Sequence, residues 1–175
     1  MLSVLRRAVA VAAVAAVSAG AVEAQMGNLK VEEIRIDLAG FEMVADQYTA
    51  FGVTLPGAIA VGIYLNDKIA LEPTLSFTSV TPEGFDAVSI FSLGLFAPYY
   101  FQGDRGHNGF FVAPGVEITK ITDVDALIDF GADAGYKKAL NDKVSWRAAL
   151  QIRSGDSTDP EMLIGGVFGL SVFWR

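Results

Sequence analysis

One histidine and no cysteine stand among the 175 residues. The absence of cysteine removes thiolate nucleophiles, thiolate metal sites, disulfides and a lipidated cysteine. The histidine, His107, falls in a turn-like stretch of Gly and Asp, away from any obvious serine partner. A nucleophile–base pair of the hydrolase type is therefore not indicated. The remaining chemistry-bearing groups are carboxylates and guanidiniums, and they occur in two settings. Glu72, Glu117, Asp129, Asp133, Arg147 and Arg153 sit at alternate positions of otherwise apolar segments. Acids and bases interleaved in this way pair with each other when they are buried, because an unpaired buried charge costs several kcal/mol. Glu83, Asp86, Asp123, Asp125, Asp156, Asp159 and Glu161 gather instead in the connecting stretches 81–86, 119–125 and 154–161, against the single base Lys120. Such acids can bridge divalent cations to anionic headgroups, although solubilising a loop is the plainer use. The sequence thus predicts no catalytic residue, no cofactor and no metal site.

The elements that carry the alternating charges are strands. Seven segments alternate with period two, the signature of a strand with two unlike faces. One face is apolar, as in Ile59, Val61 and Ile63, or Phe91, Leu93 and Leu95, or Phe168, Leu170 and Val172. The other face is mainly Gly, Ala and Ser with the six charges named above. An eighth strand is expected near 31–43, where Ile34, Ile36 and Leu38 alternate with Glu33, Arg35 and Asp37; Tyr48 to Leu55 is a competing candidate, or an extension of the next strand past a kink at Pro56-Gly57. A soluble sandwich or lipocalin-like barrel would clothe its second face in long charged side chains. Small residues beside charges of both signs suit a narrow polar lumen, with the apolar face turned to lipid. The fold class expected is all-β, an up-and-down antiparallel barrel of eight strands.

Composition agrees with this class. The chain is 52% hydrophobic with 18 glycines and a net charge of −7, which excludes a disordered chain and, without a basic stripe, nucleic acid as a partner. The N-terminus has the form of a secretory signal: Arg6 and Arg7, then an Ala/Val run from Ala8 to Val17, then small residues with a cleavage site at Val22-Glu23-Ala24 or, alternatively, Ala19-Gly20-Ala21. One domain is expected, a barrel over 25–175, preceded by a cleaved signal peptide over 1–24.

Turns and aromatic residues fix the polarity of the barrel. Leu65-Asn66-Asp67-Lys68 recurs as Leu140-Asn141-Asp142-Lys143, and Asn-Asp is turn chemistry. With strands running up and down, both turns and 102–108 fall at one end, expected to be periplasmic. Tyr64, Tyr99, Tyr100, Phe101, Phe110, Phe111, Tyr136, Trp146 and Trp174 lie near that rim. Of these, Tyr99, Phe101, Phe110, Tyr136, Trp146 and Trp174 are assigned to an interfacial girdle. Pro73, Pro98 and Pro114 fall inside strands, where a closed barrel has no free edge for a missing N–H; bulges or strand ends serve for the first two, but nothing in the pattern serves for Pro114.

On strand number, one end of short turns, Gly135-Tyr136 before the last turn and the closing pattern Phe168, Leu170, Val172 and Trp174, the chain over residues 30–174 resembles the small outer-membrane β-barrel family of Gram-negative bacteria, the group of OmpA-like and OmpX-like transmembrane barrels. Arg175 departs from the family's aromatic ending. The resemblance implies a cell outer-membrane location, outer-membrane lipid and the barrel-assembly machinery as partners, a monomer, and a non-enzymatic structural or surface role in the envelope. The alternatives are a small channel or ligand-binding barrel, a lipid-modifying barrel enzyme, and a soluble secreted lipocalin-like barrel.

Overall fold

The computed structural model describes residues 30–44, 48–52, 58–80, 88–104, 106–123, 125–156 and 162–174. The expected signal peptide, the connection 81–86, Asp159, Glu161 and Arg175 lie outside the described residues.

The alternating segments form ten ladder segments: β1 (Lys30–Val44), β2 (Tyr48–Gly52), β3 (Ile59–Tyr64), β4 (Ala70–Val80), β5 (Val88–Phe96), β6 (Tyr99–Tyr100), β7 (Gly109–Ile121), β8 (Leu127–Asn141), β9 (Val144–Gly155) and β10 (Met162–Phe173). Each pairs antiparallel with its neighbour, and β10 pairs with β1 from Glu33↔Phe173 to Val44↔Leu163, which closes the sheet. The ten segments make eight staves. β2 and β3 both lie along the same side of β1, with Gly40 opposite Gly52 and Ile36 opposite Ile59. Tyr48–Gly52 is therefore an extension of the second stave, and the first stave is the one that begins near Val31. β5 and β6 both pair with β7 in a single register, Phe96 opposite Gly115 and Tyr99 opposite Val112. They are one stave with a short interruption at Ala97-Pro98.

That interruption answers the proline problem. The Ala97 N–H donates to the carbonyl of Pro114 at 2.8 Å. In an antiparallel ladder the two residues of such a pair exchange both bonds, so the donor that Pro114 lacks faces Ala97, where the ladder is already open. One residue on, the Ala70 N–H donates to Pro98 at 3.1 Å without a return bond. The β3–β4 ladder likewise jumps from Ala60↔Thr74 to Ile63↔Leu71, which leaves the gap beside Pro73. Each proline sits where one bond is forgone and the stave continues.

The outside of the barrel is apolar. Leu75, Phe77, Leu93, Leu95, Phe110, Phe130 and Leu150 are all exposed, Phe130 by 66%. The inside is polar and nearly solvent-free: Glu33, Arg35, Asp37, Glu72, Asp129, Asp133, Lys137 and Arg147 are buried. This is the inverse of a water-soluble globule. Inward glycines leave room for large inward side chains. A Cβ at Gly115 would lie 2.3 Å from the Phe96 ring, and one at Gly131 would lie 2.7 Å from Cδ of Arg153.

Candidate functional site

The lumen holds two charged layers. Toward the loop end, Asp133 on β8 accepts from two arginines of β9: Arg147 Nη2 at 2.7 Å and Arg153 Nη2 at 2.7 Å. Arg147 and Arg153 are six residues apart, so both point inward on one strand. Glu117 on β7 stands 3.9 Å from Arg153 Nε and keeps 29% of its side chain exposed. Toward the turn end, Lys137 donates to Glu33 at 2.5 Å and to the Tyr100 hydroxyl at 3.1 Å. Tyr64 also donates to Glu33, and Tyr100 donates to Glu72 at 2.8 Å. Glu72 is further bonded by Arg35. Asp37 joins the layers, 3.3 Å from Arg35 Nε and 3.5 Å from Arg147 Nη1.

Of the six lumen charges read from the sequence, the structure groups Glu117, Asp133, Arg147 and Arg153, and places Glu72 in the other layer. Asp129 faces inward opposite Glu117, at the loop end of β8. The sequence reading missed Glu33, Arg35 and Asp37 as members because the first strand was uncertain. It missed Lys137, which lies one inward step beyond Gly135 in the alternation of Asp129, Gly131 and Asp133.

Aromatic rings seal the turn end. Tyr64, Phe96, Tyr100, Phe111 and Phe173 form an inward cluster with Ala70, Ala113 and Ala149, and Lys137 lies over the Tyr100 and Phe173 rings at 5.0 and 5.8 Å. The connection 101–108 folds across them. Gly106, at φ +66°, approaches so closely that a Cβ would lie 2.5 Å from both Tyr100 Cζ and the Tyr64 hydroxyl. Tyr64, Tyr100 and Phe111 are thus lumen residues, not rim residues as the sequence suggested, since each falls in the inward register. In the rest of the lumen the described residues leave a cavity of about 40 Å³ beside Arg35, Asp37, Glu117 and Arg153, room for a few waters.

Tyr99, Phe101, Phe110, Tyr136, Trp146 and Trp174 all lie in the outward register near the turn end. Phe110, Tyr136, Trp146 and Phe168 touch in sequence across four neighbouring strands, with ring centroids 4.8, 6.0 and 6.1 Å apart. Nearer the loops a second set, Phe77, Phe91 and Phe130, also faces outward. The aromatics are therefore not confined to one rim. The turn-end set carries the hydroxyls and indoles, and the loop-end set is phenylalanine alone.

His107 does have a serine neighbour, contrary to the sequence reading: Ser145 Oγ lies 3.3 Å from Nδ1. The pair is not a nucleophile and its base. Ser145 is fully buried and its hydroxyl donates to the His107 carbonyl at 2.6 Å, while Nε2 meets the Asn141 carbonyl at 2.8 Å. These contacts tie the 101–108 connection to the β8–β9 turn. Among the described residues no cluster of acids and histidine is arranged to hold a metal ion.

Two solved structures share the architecture. Neisserial surface protein A is 13% identical, with 82% of this chain and 96% of that chain covered and a TM-score of 0.58. Ail, the attachment invasion locus protein of Yersinia pestis, is 12% identical, with 82% and 99% covered and a TM-score of 0.50. No family model and no curated protein matches the chain. The fold is that of the small eight-stranded outer-membrane β-barrels.

Proposed function

We propose that the protein is a non-enzymatic β-barrel of the Gram-negative outer membrane with a structural or surface role in the envelope, exported behind a signal over residues 1–24, assembled by the barrel-assembly machinery and monomeric in outer-membrane lipid. One observation carries the reading: an apolar exterior wraps a lumen packed with paired charges. In water that exterior would be a continuous aggregation surface; in lipid it is the required one. Its height fits. Along β4 to β10, the charged side chains in outward register are Lys120 on β7 and Lys138 on β8. Gly109 pairs with Lys137, which sets Lys138 level with Asn108 and so about twelve residues below Lys120. At roughly 3.3 Å per residue and a tilt of roughly 40°, the two lysines bracket about 30 Å of apolar wall.

The filled lumen supports a structural role over a channel, because an eight-stranded barrel packed by its own side chains leaves no aqueous path. Envelope fractionation with heated and unheated gel samples tests the location: a heat-dependent mobility shift and recovery in the outer-membrane fraction are expected. Recovery in the soluble fraction with no shift would reject the reading. Planar-bilayer recordings are expected to show no steady conductance, and a reproducible open level would favour a channel.

A further inference from the structure

The apolar wall is not uniformly convex. On its turn-end half, across β7 to β10 and β1, lies a groove of about 1180 Å³, at the upper end of the roughly 300–1000 Å³ of ordinary ligand sites or beyond it. Its floor is made of small outward residues on adjacent strands, Ala134, Ala148 and Gly166, and its walls include Phe110, Tyr136 and Phe168. Register sets up this relief. Ala148 lies between Tyr136 and Phe168 in one cross-strand row, and Leu150 lies between Ala134 and Gly166 in the next. Small residues thus alternate with large ones in both directions, so the depressions join.

The groove has one charged edge. Lys138 is exposed and directly opposite Trp146, one outward step beyond Tyr136 toward the turns. Lys138, the Trp146 indole N–H and the Tyr136 hydroxyl supply hydrogen-bond donors at that edge. No carboxylate lies in the outward register of β7 to β10, and the turn beyond adds one charge of each sign, Asp142 and Lys143. An apolar trough ending in a lone cation complements a molecule with an apolar chain and an anionic head.

We propose that this groove is the site of one anionic phospholipid of the leaflet at the turn end, with an acyl chain lying along Ala134, Ala148 and Gly166 and its phosphate at Lys138. The inference rests on the membrane-barrel reading above. A lysine near the interface enriches anionic over neutral lipid about fivefold, and the groove adds the contact that keeps the chain in place.

Trp146, beside Lys138, is the probe. A Trp174→Phe variant leaves it as the single tryptophan, and the full barrel is reconstituted in vesicles doped, at equal mole fraction, with phosphatidylglycerol or phosphatidylethanolamine brominated in the acyl chains. The expected result is stronger quenching of Trp146 by the phosphatidylglycerol, corresponding to about fivefold local enrichment. Lys138→Gln should equalise the two lipids, and Ala148→Phe, which fills the floor without disturbing the lumen, should weaken quenching by both. Equal quenching in the parent protein, or a preference that survives Lys138→Gln, overturns the site. Weak quenching by both lipids together with a cross-linked dimer assigns the groove to a second copy of the chain, which also overturns it. A protein that stays outside the vesicles, with Trp146 quenched by neither, rejects the membrane reading itself, a result distinguishable from the others.

Discussion

In the half of the lumen nearest the turns, Lys137 is wholly buried among Glu33, Tyr100 and the Phe173 ring, and a connecting segment lies across the opening. In the half nearest the loops, the Asp133–Arg147–Arg153 cluster runs out to Glu117, whose only close ion-pair distance to Arg153 is 3.9 Å and whose side chain keeps 29% of its surface exposed. The residue types are the same and so is the barrel around them. The halves differ in what covers the charges. Aromatic rings and a strap exclude water from one, so each charge there depends on its partner. The other buries Asp133 and Arg147 as well but ends at Glu117, which keeps solvent contact, so the loss of that residue's partner can be met by water.

Breaking the turn half should therefore cost most. Lys137→Met leaves Glu33 buried without its cation and is expected to lose about 3–5 kcal/mol, measured by urea unfolding in lipid vesicles. Adding Glu33→Gln should recover most of the loss. A single-variant cost below about 1 kcal/mol, the value of an exposed pair, would erase the distinction between the halves. Gly106→Val tests the strap: the left-handed backbone and the close approach to Tyr64 and Tyr100 predict a loss of about 1–3 kcal/mol, and the loosened strap should raise hydrogen exchange over 101–108. His107→Ala removes the ring contacts to Asn141 and Ser145, and about 1 kcal/mol is expected, with the barrel otherwise intact by heat-modifiability. Glu117→Gln, in the loop half, should shift the unfolding midpoint least, by less than about 1 kcal/mol. An effect as large as that of Lys137→Met would mean that the loop half is as dry as the turn half.

The strands themselves were legible because period-two alternation needs only local sequence, and the small second face already implied a lumen. Lys137 shows the limit of that legibility. Its inward register follows from Asp133 and Gly135, but nothing local says that Glu33, 104 residues earlier, will meet it. The same holds for Glu72 and Asp133, which read as one cluster until closure assigned them to separate layers. Tyr64, Tyr100 and Phe111 read as rim residues because they flank turns; their facing is a matter of parity, and only the pairing settled it.

Pattern by itself thus determined an all-β chain with one apolar and one small, charged face, turned at Asn-Asp corners. Tertiary structure alone decided which charges pair, how Pro114 is tolerated beside the break at Ala97-Pro98, and that the 101–108 connection closes the barrel's end. The physical reason is distance along the chain. Alternation is written between residues two apart, whereas ion pairs, forgone hydrogen bonds and close approaches across the lumen depend on the register between β1 and β10, which exists only once the sheet has closed on itself.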